Sequence, residues 1–303
     1  MPQPPGYPRL PEGRLLSAGG IQLFCRDSGS APGCRRPVVL LHGLTSTADL
    51  CWFAVMPRLA DRHRCLALDL PGHGSSPPLV PCSVAQVADL VGEVIGSELR
   101  EPAIVVGFSM GGMIAQELWR RHRGLVAGLV LCSTAAELRP DRFTGRWAVQ
   151  PSRRLAVSLA GRAPASLRAP LGDRARAAAV ARSARTGDAS ELQRWARGQL
   201  ERNDPIGVAA ASVALRRHDA RTWLSDIDVP VATVTTTRDT VVDVARQRAL
   251  TRALEPVASL EVDADHGAFV EDPERWAPAV VDAVHAVDLS RDQPPARTSP
   301  GGR

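Results

Sequence analysis

A serine set between two glycines is the first group in this chain equipped for chemistry. Gly107-Phe108-Ser109-Met110-Gly111 fits the pattern G-x-S-x-G. It follows the apolar stretch Ile104-Val105-Val106 and precedes Met110, Met113, Ile114 and Leu118, which recur at helical spacing. A serine on so tight a strand-to-helix turn sits in a strained backbone conformation with its hydroxyl held clear of the sheet, and the glycines let strand and helix approach closely. Its hydroxyl is not ionised at neutral pH, so it attacks a carbonyl only if a base takes its proton and an acid orients that base. Of the seven histidines, His266 in Asp263-Ala264-Asp265-His266-Gly267 is the best placed, after the last apolar run and before a terminal amphipathic segment. His63 and His122 fall at polar helix ends, His218 in an arginine-rich stretch and His285 in the terminal segment, and each reads as a solvated surface group. In the chain order serine, acid, histidine, the expected acid is Asp239, directly after the apolar run 231–236. Asp243 is the alternative, although it also fits the N-cap of the next helix. Asp263 and Asp265 lie too close to His266 for that order.

The elements that must position these residues are legible as short apolar runs at 38–41, 65–70, 104–108, 125–132, 231–236 and 257–262. Runs of this length without alternation read as strands buried on both faces, as in a parallel sheet. Amphipathic segments separate them. Ser83 is a candidate N-cap for a helix carrying Val84, Val87, Val91, Val94 and Ile95, and 244–254 and 273–287 supply two more helices. Pro57 either starts or kinks the first helix. The class is therefore α/β, with a mostly parallel sheet flanked by helices.

The alternation stops between 139 and 222, where the sequence turns to Arg, Ala and Leu and reads as helical, broken at Pro151, Pro164, Pro170 and Pro205. The chain of 303 residues carries a net charge of +5, and all 37 of its Lys+Arg residues are arginine. Segment 139–222 holds 17 Arg against 7 acidic residues, so +10 resides there and −5 on the remainder. With aromatic content at 4%, a nucleic-acid partner is disfavoured. No run reaches the roughly 18 apolar residues of a membrane span, and no secretory signal is visible, which makes the cytoplasm the default location. Six cysteines without a C-x-x-C pair argue for reduced thiols and against a zinc site. The expected organisation is a disordered 1–13, a core of 14–138 and 223–288, an inserted helical cap at 139–222, and a disordered tail at 289–303.

The set His42-Gly43, Asp69-Leu70-Pro71-Gly72-His73-Gly74-Ser75, Gly107-Phe108-Ser109-Met110-Gly111-Gly112, Asp239 and His266-Gly267 resembles the α/β-hydrolase superfamily. It is similar to the esterase, enol-lactonase and cofactor-free haloperoxidase-like branch with a helical cap, over residues 14–288. The resemblance implies an oxyanion hole made by the backbone N–H groups of Leu44 and Met110, with His42 and Gly43 shaping its loop and Gly107 and Gly111 supporting the serine turn. His73 would then be a structural turn residue. A serine at position 109 disfavours the epoxide-hydrolase and dehalogenase chemistry that uses a carboxylate there. The implied activity is hydrolysis of a small carboxylic ester or lactone through a Ser-His-Asp triad and an acyl-enzyme, with no cofactor or metal. The same triad also serves enol-lactone hydrolysis, C–C bond hydrolysis, perhydrolysis or a lyase step, and the remaining reading is a non-catalytic binding protein on this fold. The arginines of 139–222 either attract an anionic substrate or form solvated helix faces, and Trp147, Trp195 and Trp223 either line a pocket or pack the insertion onto the sheet.

Overall fold

The computed structural model describes residues 3–30, 33–138 and 190–290. Eight strands form one sheet in the order β1-β2-β4-β3-β5-β6-β7-β8. They are β1 (Gly13–Ala18), β2 (Ile21–Asp27), β3 (Arg35–Leu41), β4 (His63–Leu68), β5 (Ala103–Phe108), β6 (Val126–Cys132), β7 (Val231–Thr236) and β8 (Ala258–Val262). Pairing is parallel from β4 through β8, and antiparallel for β1 with β2 and β2 with β4. All six apolar runs are strands. The sequence reading missed the hairpin β1–β2, whose turn Gly19-Gly20 has positive φ at both residues, the geometry of a tight two-residue hairpin turn.

The strands explain the runs. Val39 and Leu41 of β3 face a cluster formed with helices Val84–Glu98 and Met110–Arg121, while Val38 and Leu40 face a second cluster with the short helices Ala48–Trp52 and Met56–Ala60 and the long helix Pro273–Ser290. With helices on both faces the apolar positions of the central strands are buried on either side and alternation vanishes there, whereas the edge strand β8 alternates, with Ser259 and Glu261 exposed. Ser83 Oγ caps Val84–Glu98 by accepting from Gln86 N, and Pro57 stands in the first turn of Met56–Ala60 and so starts a helix rather than kinking one.

Residues 3–12, expected to be disordered together with 1–13, are packed. Leu10 is buried, and the Tyr7 ring meets Phe53 edge-on at 4.6 Å; apolar anchors among the prolines hold this segment against the core. Between β6 and β7, residues 190–222 are described and contain helices Glu191–Glu201 and Pro205–Leu215. The helical stretch breaks before Pro205, as expected, and Pro205 opens the second helix, capped by the Asp204 carboxylate. Pro151, Pro164, Pro170, Trp147 and most of the expected cap lie outside the described residues, as does the tail from 291. Trp195 packs on Phe53 and Trp223 on Trp119. No helix among the described residues is long and apolar enough to cross a membrane.

The order β4-β3-β5 places the reversal of winding at β3 and β5. The crossover from β3 to β4 carries helices into one cluster, and the crossover from β4 to β5 carries Val84–Glu98 into the other. A crevice opens beyond the carboxyl ends of strands at such a reversal. His42-Gly43 leaves β3 there and Ser109 leaves β5 there.

Candidate active site

Ser109 has φ 52° and ψ −112° at the junction of β5 and helix Met110–Arg121, a region costly to any residue with a side chain. Several contacts hold it: Ser109 N donates to Cys132 O at 2.9 Å, and Thr134 Oγ1 donates to Ser109 O at 2.7 Å. The turn is too tight for side chains at its flanks. A Cβ on Gly107 would lie 2.4 Å from Gly111 O, and one on Gly111 would lie 2.0 Å from Leu41 O.

The structure brings His266 and Asp239 to this serine. His266 Nε2 is 3.0 Å from Ser109 Oγ, and His266 Nδ1 is 2.8 Å from Asp239 Oδ2. Asp239 follows β7 and His266 follows β8, so three strand ends converge. The Asp239 side chain is fully buried. Its Oδ1 accepts the N–H groups of Val241 and Val242, both at 2.8 Å, and its Oδ2 also accepts Thr236 Oγ1 at 2.7 Å and Gln247 Nε2 at 2.8 Å. Burial alone would raise this carboxyl, but the hydrogen bond and charge of His266, together with Thr236 and Val242, carry it below its ordinary value. Asp239 is therefore an anion at neutral pH, and Nδ1 of His266 must carry the proton that faces it. That leaves Nε2 free to accept from Ser109 Oγ. Asp243 does not join the group; it caps helix Val244–Leu254 through Ala245 N.

Residues with no sequence signal complete the arrangement. Gln247 is locked in orientation, since its Oε1 accepts Thr236 N at 3.2 Å while its Nε2 donates to Val242 O at 2.9 Å as well as to Asp239. A lone glutamine on an amphipathic helix does not announce such a role. Phe108 packs on the His266 ring at 4.9 Å and on Phe269 and Trp276, an apolar wall behind the base.

His42 is fully buried. Its Nε2 accepts from Leu70 N at 2.9 Å, which fixes the proton on Nδ1, and Nδ1 then donates to Gly43 O at 2.8 Å. Burial, with His73 beside it, depresses its pKa well below the ordinary range, so it stays neutral. Gly43 O also accepts Ser46 N at 3.1 Å. The peptide joining Gly43 and Leu44 is planar and trans, so anchoring its carbonyl fixes the opposite direction for the Leu44 N–H. A Cβ on Gly43 would lie 3.3 Å from Ser109 Cβ, which puts this loop against the serine. Among the described residues neither Leu44 N–H nor Met110 N–H has an acceptor.

His63 and His218, expected as solvated, are buried. His63 opens β4, with Nδ1 2.7 Å from Arg36 O. His122 ends helix Met110–Arg121 and pairs with Asp89 at 2.7 Å. All six cysteines are free thiols, and no cluster of metal-ligating side chains occurs among the described residues. Two described arginines of the insertion are turned onto the protein's own carboxylates, Arg202 onto Asp49 and Asp69 and Arg221 onto Asp219 and Glu137.

The family model for the alpha/beta hydrolase family matches residues 38–279. Among curated proteins, a pimeloyl-acyl-carrier protein methyl ester esterase of Methylococcus capsulatus is 32% identical over 260 residues, which is 84% of this chain and 95% of that protein. A protein of the same name from Chromobacterium violaceum is 29% identical over 265 residues, covering 86% and 98%. The crystal structure of an enol-lactonase from Burkholderia xenovorans LB400 superposes with a TM-score of 0.70 at 24% identity, over 90% of this chain and all of that one. A thermophilic esterase from Thermogutta terrifontis gives 0.67 at 24% identity, over 91% and 99%.

Proposed function

Because the chain belongs to the alpha/beta hydrolase family, we propose that it hydrolyses a small carboxylic ester through Ser109, His266 and Asp239. The observation that carries this reading is the continuous line of contacts from Asp239 Oδ2 through His266 to Ser109 Oγ, at 2.8 and 3.0 Å. His266 Nε2 takes the hydroxyl proton as Ser109 Oγ bonds to the ester carbonyl carbon. The carbonyl oxygen becomes an oxyanion, which the N–H groups of Leu44 and Met110 stabilise. The C–O bond to the leaving alcohol then breaks, and His266 hands that oxygen its proton. Water, deprotonated by the same nitrogen, releases the acid and restores Ser109. Asp239 keeps the imidazole in the required tautomer and balances its charge.

The esterase names of the curated relatives support an ester whose leaving group is a small alcohol. The described part of the insertion packs on the loops after β3 and β4 through Gln199, Asn203 and Asp204, which supports reading the insertion as a cap. Arg202 and Arg221 are engaged with carboxylates of the chain itself, which supports reading these two as internal ion pairs. A fluorophosphonate probe tests the reading. The wild type is modified at Ser109 and the Ser109→Ala variant is not; an unmodified wild type, or equal labelling of the two, overturns it.

A further inference from the structure

The chain has a single asparagine, Asn203, in the link between helices Glu191–Glu201 and Pro205–Leu215, and it is 6% exposed. Its Nδ2 donates to Thr45 O at 2.6 Å and its Oδ1 accepts Gly74 N at 3.0 Å. One amide thus spans the loop after β3 that carries Leu44 and the loop after β4, which the contacts of Leu70 N with His42 Nε2 and of Ala48 N with Asp69 Oδ1 already join nearer to the end of β4. The link is keyed to the same loops on either side. Asp204 N donates to Gly72 O at 2.9 Å, Arg202 donates to Ser75 Oγ at 2.8 Å, and Thr47 Oγ1 donates to Gln199 Oε1 at 3.2 Å. Gly72 and Gly207 approach so closely that a Cβ on Gly72 would lie 2.7 Å from Gly207 Cα.

Thr45 is the residue after Leu44 and has φ 64°. A β-branched residue in the left-handed region is strained and persists only where its surroundings over-determine it. His42 and Ser46 hold the carbonyl of the peptide before Leu44, and Asn203 holds the carbonyl of the residue after it. The direction of the Leu44 N–H is therefore set from the core on one side and from the insertion on the other. The position requires a donor toward a carbonyl and an acceptor toward an N–H at the same reach, which a primary amide supplies and a carboxylate does not.

We propose that Asn203 is a positioning residue for the acyl-transfer step, through which the insertion holds the loop bearing the Leu44 N–H in its oxyanion-binding conformation. The inference rests on the serine-hydrolase reading, and its test is arranged so that the two fail separately. The variants are Asn203→Ala and Asn203→Asp; the second keeps an acceptor for Gly74 N but replaces the donor to Thr45 O with a carboxylate oxygen that repels that carbonyl. Each is assayed on p-nitrophenyl acetate for kcat and KM, for inhibition by a short-chain trifluoromethyl ketone, and for melting temperature. The ketone adds Ser109 Oγ to its carbonyl carbon while His266 takes the proton, so its affinity reads oxyanion stabilisation directly. Deleting an oxyanion donor outright typically costs about 100- to 1,000-fold in kcat, and misaligning one costs less. The expected result is a kcat lowered about 10- to 100-fold, KM within about 3-fold, and ketone affinity lost in parallel with kcat/KM. A residue that only stabilised the fold would lower the melting temperature and leave both readouts unchanged in the folded protein. Either variant folded, with kcat and ketone affinity within about 2-fold of wild type, overturns the proposal. Failure of the wild type to react with fluorophosphonate overturns it together with the reading beneath it.

Discussion

Replacing Asp239 with asparagine tests the chemistry at its least obvious member. Asp239 Oδ1 accepts two backbone N–H groups, and Oδ2 accepts His266 Nδ1–H, Thr236 Oγ1 and Gln247 Nε2. The amide oxygen of an asparagine will take the Oδ1 position, because two fixed backbone donors would otherwise face an NH2 group. Its nitrogen then replaces Oδ2. Gln247 cannot turn over to meet it without losing its bonds to Thr236 N and Val242 O, so two NH2 groups face one another; Thr236 relaxes by rotating toward Ser133 Oγ, 3.0 Å away. One buried donor left facing a donor costs about 1–3 kcal/mol of stability. The catalytic cost is larger. With a donor opposite Nδ1, the imidazole moves its proton to Nε2, which then cannot accept from Ser109. The same change in a serine protease triad lowers kcat about 10,000-fold, and Asp239→Asn is expected to fall by about that factor at pH 7. The assay is steady-state ester hydrolysis alongside urea unfolding. A folded variant retaining a tenth or more of wild-type kcat would refute the tautomer argument, and a stability equal to wild type would refute the locked orientation of Gln247.

Two further outcomes follow from features away from the serine. Burial pushes the Asp27 carboxyl up, but the guanidinium of Arg64, the N–H of Gly29 and Arg14 outweigh it and hold it down at about 2. Because the folded value lies below the unfolded one, its stabilisation is complete above about pH 4 and drains away as pH falls toward 2. Solvent screening at this partly exposed pair reduces it to about 1 kcal/mol, and Asp27→Asn should flatten the acid limb of unfolding by that amount; an unchanged pH dependence would count against the ion-pair assignment. Gly111→Ala forces a Cβ onto the Leu41 carbonyl, a backbone atom with nowhere to retreat, and should cost about 3 kcal/mol in urea unfolding. A midpoint equal to that of wild type would show the serine turn to be less tightly packed than these distances imply.

Much of the fold was legible because β3 to β7 are buried on both faces, which turns each into an uninterrupted apolar word. The hairpin β1–β2 escaped notice for the opposite reason: β1 buries only Leu16 and Ala18 of its six residues, so it reads as an ordinary polar segment. His63 misled because Arg62 and Arg64 flank it, although in a strand a residue and its neighbours point to opposite faces. Ser109 was legible because its requirements are local, and Asp239 and His266 because each stands one turn beyond a recognisable strand. Gln247 and Asn203 were not. The partners of Asn203 lie 129 and 158 residues away, and those of Gln247, though only 5 to 11 residues away, lie outside its own helix, so helical spacing records neither contact.

The convergence of three strand ends has a consequence for how the protein comes into being. Ser109 and His266 are separated by 157 residues, with β6, the whole insertion, β7 and β8 between them. Contacts of such sequence separation form late, since loop closure must be met before they return anything. A chain emerging from the ribosome therefore displays the serine long before the base that activates it exists, and the hydroxyl is as inert as any other alcohol during that time. Recovery of esterase activity on refolding should accordingly trail the recovery of helical circular dichroism. On the proposed serine-hydrolase reading, the nucleophile is switched on by the completion of the sheet itself.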